Sequence, residues 1–242
     1  MPKHKIQKQE EISLEDWKQI LKLAGKLDFS RAYKVPKNQH WLQAILAIIW
    51  LTGKRINEVL QLKRKHISFT PKNKPTQIRI KFFVGKKRSK GSPLELMPFQ
   101  KARTIKHKAV PYIVEYLDEF DLTNVPDDQL FPANTKSRIK TVKTKFLNAK
   151  SEEEVRSYTY HEQGGYVKQQ TARFWLGVIN KKLPKAKRIY FHYGRHSIGI
   201  RLAYQGKTPY QIAAILDETV RSALEYTKHA GGYSQEWTNE TE

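Results

Sequence analysis

Cysteine is absent from the 242 residues of this chain. That excludes a disulfide scaffold, a thiol nucleophile and any Cys-ligated zinc site. Long apolar runs are missing too. The most hydrophobic stretch, Trp41 to Leu51, falls far short of the roughly 20 residues a membrane span needs. The opening Met1–Glu11 is polar and has no apolar centre, so it does not read as a secretion signal. Acidic residues are scarce, with 23 Asp+Glu against 45 Lys+Arg and a formal net charge of +22. These absences predict a soluble, cytoplasmic protein whose partner is a polyanion.

What is present argues for a folded domain. The apolar fraction is 39%, with 5 Trp, 12 Tyr and 10 Phe, which is enough to build a core despite the charge. Apolar periodicity predicts a first helix over 13–26, capped by Ser13, and a second over 38–51 that ends at Gly53. A short third helix over 56–62 follows. The period then changes, and 66–70, 77–84 and 93–97 read as a small three-stranded antiparallel sheet. Helices are predicted again over 102–119, 167–182, 193–205, 208–216 and 219–228. The basic stretch 136–148 reads as weakly helical and 151–165 as a flexible connector. The expected fold class is mainly α with that one small sheet. Residues 1–12 form a flexible N-terminal segment, 13–229 one domain and 230–242 a tail.

The positive charge is clustered. Between Gln61 and Val110 lie 15 Lys or Arg, and Glu95 is the only acid. A field of this kind repels itself unless a polyanion neutralises it, and a DNA duplex suits it. Lys63, Arg64, Lys65, Lys87, Arg88, Lys90, Lys101 and Arg103 are the candidate DNA contacts. A second run, Lys136 to Lys150, holds six cations and no acid.

Four segments carry candidate chemistry: Thr52–Gly53–Lys54–Arg55–Ile56–Asn57–Glu58, Val84–Gly85–Lys86–Lys87 leading into Pro93–Leu94, His192–Tyr193–Gly194–Arg195–His196–Ser197, and Leu224–Glu225–Tyr226–Thr227. In order and spacing they resemble the tyrosine recombinase (integrase) family. The resemblance covers about residues 12–229 and implies the fold of that family's catalytic domain. It makes Arg55 the first catalytic arginine, with Glu58 as its acidic companion. Lys86 becomes the hairpin lysine, with Lys87 and Lys90 as alternatives. His192 and Arg195 match the His-x-x-Arg pair, and Tyr226, 31 residues beyond Arg195, matches the nucleophile. Among the other tyrosines, Tyr210 is the rival, and Tyr193 and Tyr204 read as packing residues.

The chemistry of these residue types fits a phosphodiester. Two guanidiniums clamp non-bridging oxygens as negative charge builds on them. A tyrosine with a reference pKa of about 10 is a poor nucleophile and needs a cationic site or a base. The leaving deoxyribose oxygen needs a proton, which a lysine at a hairpin tip can supply. The expectation is therefore chemistry without a metal or other cofactor. The resemblance further implies a 3′-phosphotyrosyl intermediate, double-stranded DNA as partner, and a homo-tetramer exchanging strands through a four-way junction.

The sequence departs from the family pattern in two places. Glu218 stands where the family commonly has a histidine or tryptophan, which makes it a candidate catalytic residue and base. Arg55 also comes so early that the helical DNA-gripping domain typical of the family has no counterpart before it. A type IB topoisomerase, with the same chemistry but no strand exchange, and a DNA-binding module without catalysis are the rival readings.

Overall fold

Helix α2 (Trp41–Thr52) is apolar on every side, and that dictates its position. Every residue of it except Leu51 is buried, so the chain has to wrap around it. In the computed structural model, which describes residues 11–29, 36, 39–70, 77–82, 100–102, 107–121, 129–133, 138–147, 153–162 and 165–230, α2 is the axis of the larger core. Helix α1 (Leu14–Gly25) starts where the Ser13 hydroxyl accepts the Asp16 N–H at 3.1 Å. It buries Trp17, Ile20, Leu21 and Ala24, a spacing that forms a single helical face. Trp17 near its start stacks on Trp50 at 5.4 Å, and the Gln43 amide donates to the Leu21 carbonyl at 3.0 Å. The two helices therefore run antiparallel.

After the short helix α3 (Ile56–Leu60), a 3-10 turn over Arg64–His66 leads into a three-stranded antiparallel sheet of order β1-β2-β3: β1 (Ile67–Thr70), β2 (Gln77–Ile80) and β3 (Gln100–Ala102). Ile67 opposes Ile80, Phe69 opposes Ile78, and Ile78 opposes Ala102. The third strand differs from expectation: 93–97 lies outside the described residues, and the strand seen is 100–102. The helix expected from residue 102 starts at Val110 instead, as α4 (Val110–Asp121). Pro111 explains the shift, because a proline with no N–H is at home in the first helical turn.

Two further expectations are corrected. The stretch 136–148 is strand β4 (Arg138–Leu147), and the supposed connector 151–165 holds strand β5 (Glu153–Glu162). The two pair in register from Arg138–Glu162 to Leu147–Glu153. Ile139, Val142, Thr144, Tyr158, Thr159 and Tyr160 are strand-favouring side chains, and they outweigh the basic residues between them. Helix α5 (Gln169–Lys181) follows and buries Ala172, Leu176 and Ile179. Phe174 is exposed, since two residues from Ala172 and from Leu176 carry it round to the far side.

The chain ends in three helices: α6 (Phe191–Tyr204), α7 (Pro209–Leu216) and α8 (Val220–Ala230). They enclose a smaller second core of Ile198, Ile200, Ala203, Ile212, Ala213, Leu216, Ala223 and Tyr226. Helix α6 belongs to both cores, with Phe191 in the first. Glu11 and Ile12, expected in a flexible segment, are tied to this helix: the Ile12 N–H donates to the Ser197 hydroxyl at 2.9 Å and Glu11 pairs with Arg201. No helix among the described residues is long and apolar enough to cross a membrane.

Trp17 is fully buried at the junction of α1 and α2. Trp17→Ala is expected to cost about 3–5 kcal/mol, the usual range for removing a large buried aromatic side chain. Urea denaturation followed by circular dichroism measures it.

Candidate active site

The site begins where α2 stops. Gly53 adopts the left-handed conformation at φ +66°, and a Cβ there would lie 2.7 Å from Leu216 Cδ2, so glycine is required both for the turn and for the close approach of α7. The turn delivers Arg55 to the N-cap of α3. Glu58, one turn on, grips it twice. One carboxylate oxygen accepts the Arg55 backbone N–H at 3.0 Å and the other accepts Nη1 at 3.0 Å. Both terminal nitrogens also face the Asp217 carbonyl oxygen, at 3.5 and 3.4 Å. The Arg55 side chain keeps 21% exposure, so the guanidinium is held yet reachable.

Helix α6 supplies the second set. His192, Arg195, His196 and Gly199 follow the i, i+3, i+4, i+7 spacing that shares one face. His192 is exposed at the first turn, and its ring meets that of His196 edge-on at 4.3 Å. Arg195 is buried to 1% exposure. Its Nη1 donates to the Gly53 carbonyl at 3.0 Å and its Nη2 to Glu218 Oε2 at 3.0 Å. Arg195 Nε and Glu218 Oε1, both buried, have no hydrogen-bond partner among the described residues. Each such orphaned group costs on the order of 1–3 kcal/mol.

Glu218 and Asp217 form the turn between α7 and α8. Asp217 takes a positive φ of 53°, a conformation that aspartate tolerates better than most residues but that still carries strain. Thr219 then starts α8, accepting the Ser222 N–H on its hydroxyl at 3.2 Å. Two turns along, Tyr226 lays its ring on Gly199, where a Cβ would come within 2.6 Å of the ring carbons. The ring also meets His196 at 5.5 Å. Tyr226 is 4% exposed, and its pKa is pushed up to about 12 by burial and by the negative charge of Glu218, against the opposing pull of Arg195 and Arg55.

A cavity of about 710 Å3 opens beside these groups, lined among others by Arg55, Glu58, Arg173, Tyr190, His192 and Arg195. The fold thus brings Arg55, His192 and Arg195 to one opening from segments far apart in sequence. Tyr226 does not line the cavity; it meets the same group of residues through Gly199, through His196 and through a hydrogen bond with Arg195. Glu218, singled out in the sequence as a departure, sits on Arg195. Lys86, Lys87, Arg88, Lys90 and Arg103 lie outside the described residues. Lys101 is on β3 opposite Arg79 of β2. Lys63, Arg64 and Lys65 sit on the turn after α3, and Lys65 is exposed. Arg64 spends its Nη1 on the Ile67 carbonyl at 2.7 Å, a structural bond rather than an open contact.

Sequence reasoning missed three groups. Lys54 is 1% exposed, with its ammonium 5.8 Å from the centre of the Phe82 ring. Burial draws its pKa down, partly opposed by Glu58 and Asp217. Its place between Gly53 and Arg55 was the available signal. Gly199 could have been flagged by its helical spacing from Arg195, since it leaves room for a partner ring. Nothing in the sequence marks the Asp217 carbonyl.

No protein-family model matches this sequence, and no curated protein matches it significantly. Solved structures do match in fold. XerH site-specific recombinase bound to difH substrate, in a pre-cleavage complex, aligns with a TM-score of 0.52 at 21% identity over 89% of this chain and 50% of that one. XerA recombinase aligns with a TM-score of 0.55 at 17% identity, over 94% of this chain and 60% of that one. The Tn1549 transposon integrase in complex with transposon right end DNA aligns with a TM-score of 0.52 at 15% identity, over 97% of this chain and 68% of that one. The chain spans about half the length of the XerH structure it matches. The mainly helical fold with its small antiparallel sheet resembles the tyrosine recombinase catalytic domain.

The contact between Gly199 and Tyr226 yields a test. Gly199→Ala is expected to destabilise the protein by about 1–3 kcal/mol, as overpacking usually does. In a Tyr226→Ala background the same change should cost almost nothing. A double-mutant cycle from urea denaturation reads the coupling.

Proposed function

We propose that this chain breaks and rejoins double-stranded DNA through Tyr226, as a site-specific recombinase or integrase. The observation that carries the reading is the convergence of Arg55, His192 and Arg195 on one cavity, with Tyr226 packed against the same face of α6. The same four residues are those that the resemblance to the tyrosine recombinase family assigns to catalysis. The likeness in fold to recombinases solved with DNA supports the same reading.

The mechanism follows from the residue chemistry. Arg55 and Arg195 hold the non-bridging oxygens of the scissile phosphate and stabilise the charge that develops there. The Tyr226 oxygen attacks phosphorus and gives its proton to Glu218, the candidate base. A P–O bond to Tyr226 forms as the P–O5′ bond breaks, leaving a 3′-phosphotyrosyl link. The departing 5′ oxygen takes a proton from the hairpin lysine, Lys86. His192, exposed at the mouth of the cavity, contacts the phosphate. Rejoining runs the same steps backwards with the 5′ hydroxyl of the same or a partner strand. The second choice of strand makes recombination, and the homo-tetramer on paired sites belongs to this proposal.

Adduct capture tests the reading without knowledge of the target sequence. A library of nicked duplexes with randomised sites is incubated with the protein, and SDS-stable covalent complexes are recovered and sequenced. Wild type is expected to yield an adduct on an enriched sequence, and Tyr226→Phe none. Absence of any wild-type adduct would overturn the enzymatic reading; an adduct persisting in Tyr226→Phe would move the nucleophile elsewhere. On the enriched site, Lys86→Ala should lower cleavage at least a hundredfold, within the usual range of about 10²–10⁴ for general acid catalysis. A 5′-phosphorothiolate at the cut, whose leaving group needs no proton, should restore it.

A further inference from the structure

Lys54 is a buried cation that the mechanism above leaves without a task. It lies between Arg55 and Gly53, whose carbonyl receives Arg195, and it is 1% exposed. The turn fixes its backbone. The Lys54 N–H donates to the Thr52 hydroxyl at 3.2 Å, and that hydroxyl donates to the Ile48 carbonyl at 2.7 Å. The side chain runs inward, and its ammonium lies 5.8 Å from the centre of the Phe82 ring, a contact that favours a cation. Burying an ammonium is costly unless opposite charge stands near it, and a methionine fills such a space without that cost. The positive charge at this position therefore calls for a reason.

The charges around it supply one. Glu58 pairs with Arg55 and Glu218 with Arg195, each at 3.0 Å, so the two arginines are already matched by two carboxylates. Asp217 adds a third acid at the same turn, with its carbonyl on Arg55. Two guanidiniums against three carboxylates leave one negative charge in excess, which repels a phosphodiester of the same sign. Lys54 cancels that excess. Its ammonium is attracted by Glu58 and Asp217 and repelled by Arg195 and Arg55, and the two acids work against burial to keep its proton in place. Arg173 lines the same opening but is exposed, where salt screens its charge; a buried charge is screened far less.

We propose that Lys54 is a positioning residue of the phosphate site, a buried counter-charge to Asp217 that keeps the field of Arg55 and Arg195 attractive to the scissile phosphate. It touches no substrate and acts through the two arginines. Negative charge builds on the non-bridging oxygens in the transition state, so the cancelled excess counts for more there than in the bound ground state. Lys54 therefore moves the rate of cleavage more than the affinity for duplex. Its part differs from that of Lys86, which gives a proton to the leaving oxygen: Lys54 holds its proton throughout. The inference rests on Tyr226 attacking a phosphodiester held by Arg55 and Arg195.

The test uses the full chain and the site recovered from the randomised library, with single-turnover adduct formation on two substrates. One carries the ordinary phosphodiester at the cut. In the other a methylphosphonate puts a methyl group in place of a non-bridging oxygen and so removes the negative charge. Lys54→Met is expected to slow adduct formation on the phosphodiester by roughly ten- to a hundredfold, the order that one charge acting through protein contributes. On the methylphosphonate it should match wild type. The ratio of the two rates within one preparation does not depend on how much of it has folded. Asp217→Asn in the Lys54→Met background removes the uncompensated carboxylate and should return most of the phosphodiester rate. Asparagine accepts the positive φ of position 217 and keeps its carbonyl, so this double variant decides if wild type leaves the methylphosphonate uncut. Asp217→Asn alone keeps Lys54 and should speed the phosphodiester reaction, which decides if Lys54→Met fails to fold. Equal losses on both substrates overturn the inference, because Lys54 then only supports the fold. A double variant no faster than Lys54→Met overturns it too, as does an Asp217→Asn no faster than wild type. So does a Lys54→Met rate restored by a 5′-phosphorothiolate, which makes Lys54 part of proton delivery. Absence of any wild-type adduct on the phosphodiester is a different result: it removes the reading of Tyr226 as nucleophile.

Discussion

A single buried guanidinium joins the parts of this protein. Arg195 links the carbonyl that closes α2 to the carboxylate that opens the turn before α8, with α6 as the bridge. The Gly53 bond spans 142 residues of sequence. An arginine removed from water has to find acceptors or unfold its surroundings, so the two elements that supply them are drawn to the same place. The first cation of the site, Arg55, follows two residues after Gly53, and the nucleophile candidate follows eight residues after Glu218. Solving the packing of Arg195 therefore assembles most of the site.

The two cores give this arrangement its mechanics. Around α2 the chain is buried on every side, and the tryptophan pair at the α1–α2 contact makes that body rigid. The smaller core beneath α6, α7 and α8 holds Tyr226 as one of its own members. A tyrosine that is also a core residue cannot move alone; α8 and the turn before it move with it. Gly53 marks a seam where the smaller core touches the rest and Gly199 lies inside the smaller core, each leaving room for a partner side chain closer than any Cβ permits.

The helices were legible from the sequence because burial there has a helical period: α1, α2 and α5 to α8 lie within a few residues of their expected positions. Arg55, His192, Arg195 and Tyr226 were singled out by the resemblance of their segments to a family pattern, and the structure gathers Arg55, His192 and Arg195 at one cavity with Tyr226 on the same face of α6. The β4–β5 ribbon was not legible. Alternation betrays a strand when one face is apolar and the other polar, whereas Arg138 to Leu147 alternates lysines with threonine and a few apolar residues and shows no such contrast. The partner of Arg195 was also illegible as a partner. Glu218 was noticed for standing in an unusual place, but an ion pair between α6 and a later turn depends on tertiary approach, which no local period records. The carbonyls of Gly53 and Asp217 are beyond sequence reading altogether, since every residue has one.

The scarcity of acids now has a structural meaning. In a chain with 23 acidic residues against 45 basic ones, two of the buried or nearly buried carboxylates, Glu58 and Glu218, are placed on Arg55 and Arg195. The Glu218 pair neutralises a cation that would otherwise be buried without a counter-charge, a situation worth several kcal/mol of destabilisation. Their environments differ in a way that separates their roles. Glu58 grips both the backbone and the side chain of Arg55 while leaving the guanidinium partly exposed, so that cation stays reachable. Glu218 holds one nitrogen of the buried Arg195 and leaves its own second oxygen unpaired, and Arg195 Nε is likewise without a hydrogen-bond partner among the described residues. The first carboxylate is a permanent brace. The second meets its arginine through one bond, and the orphaned atoms on both sides of that bond show that the contact is less than complete.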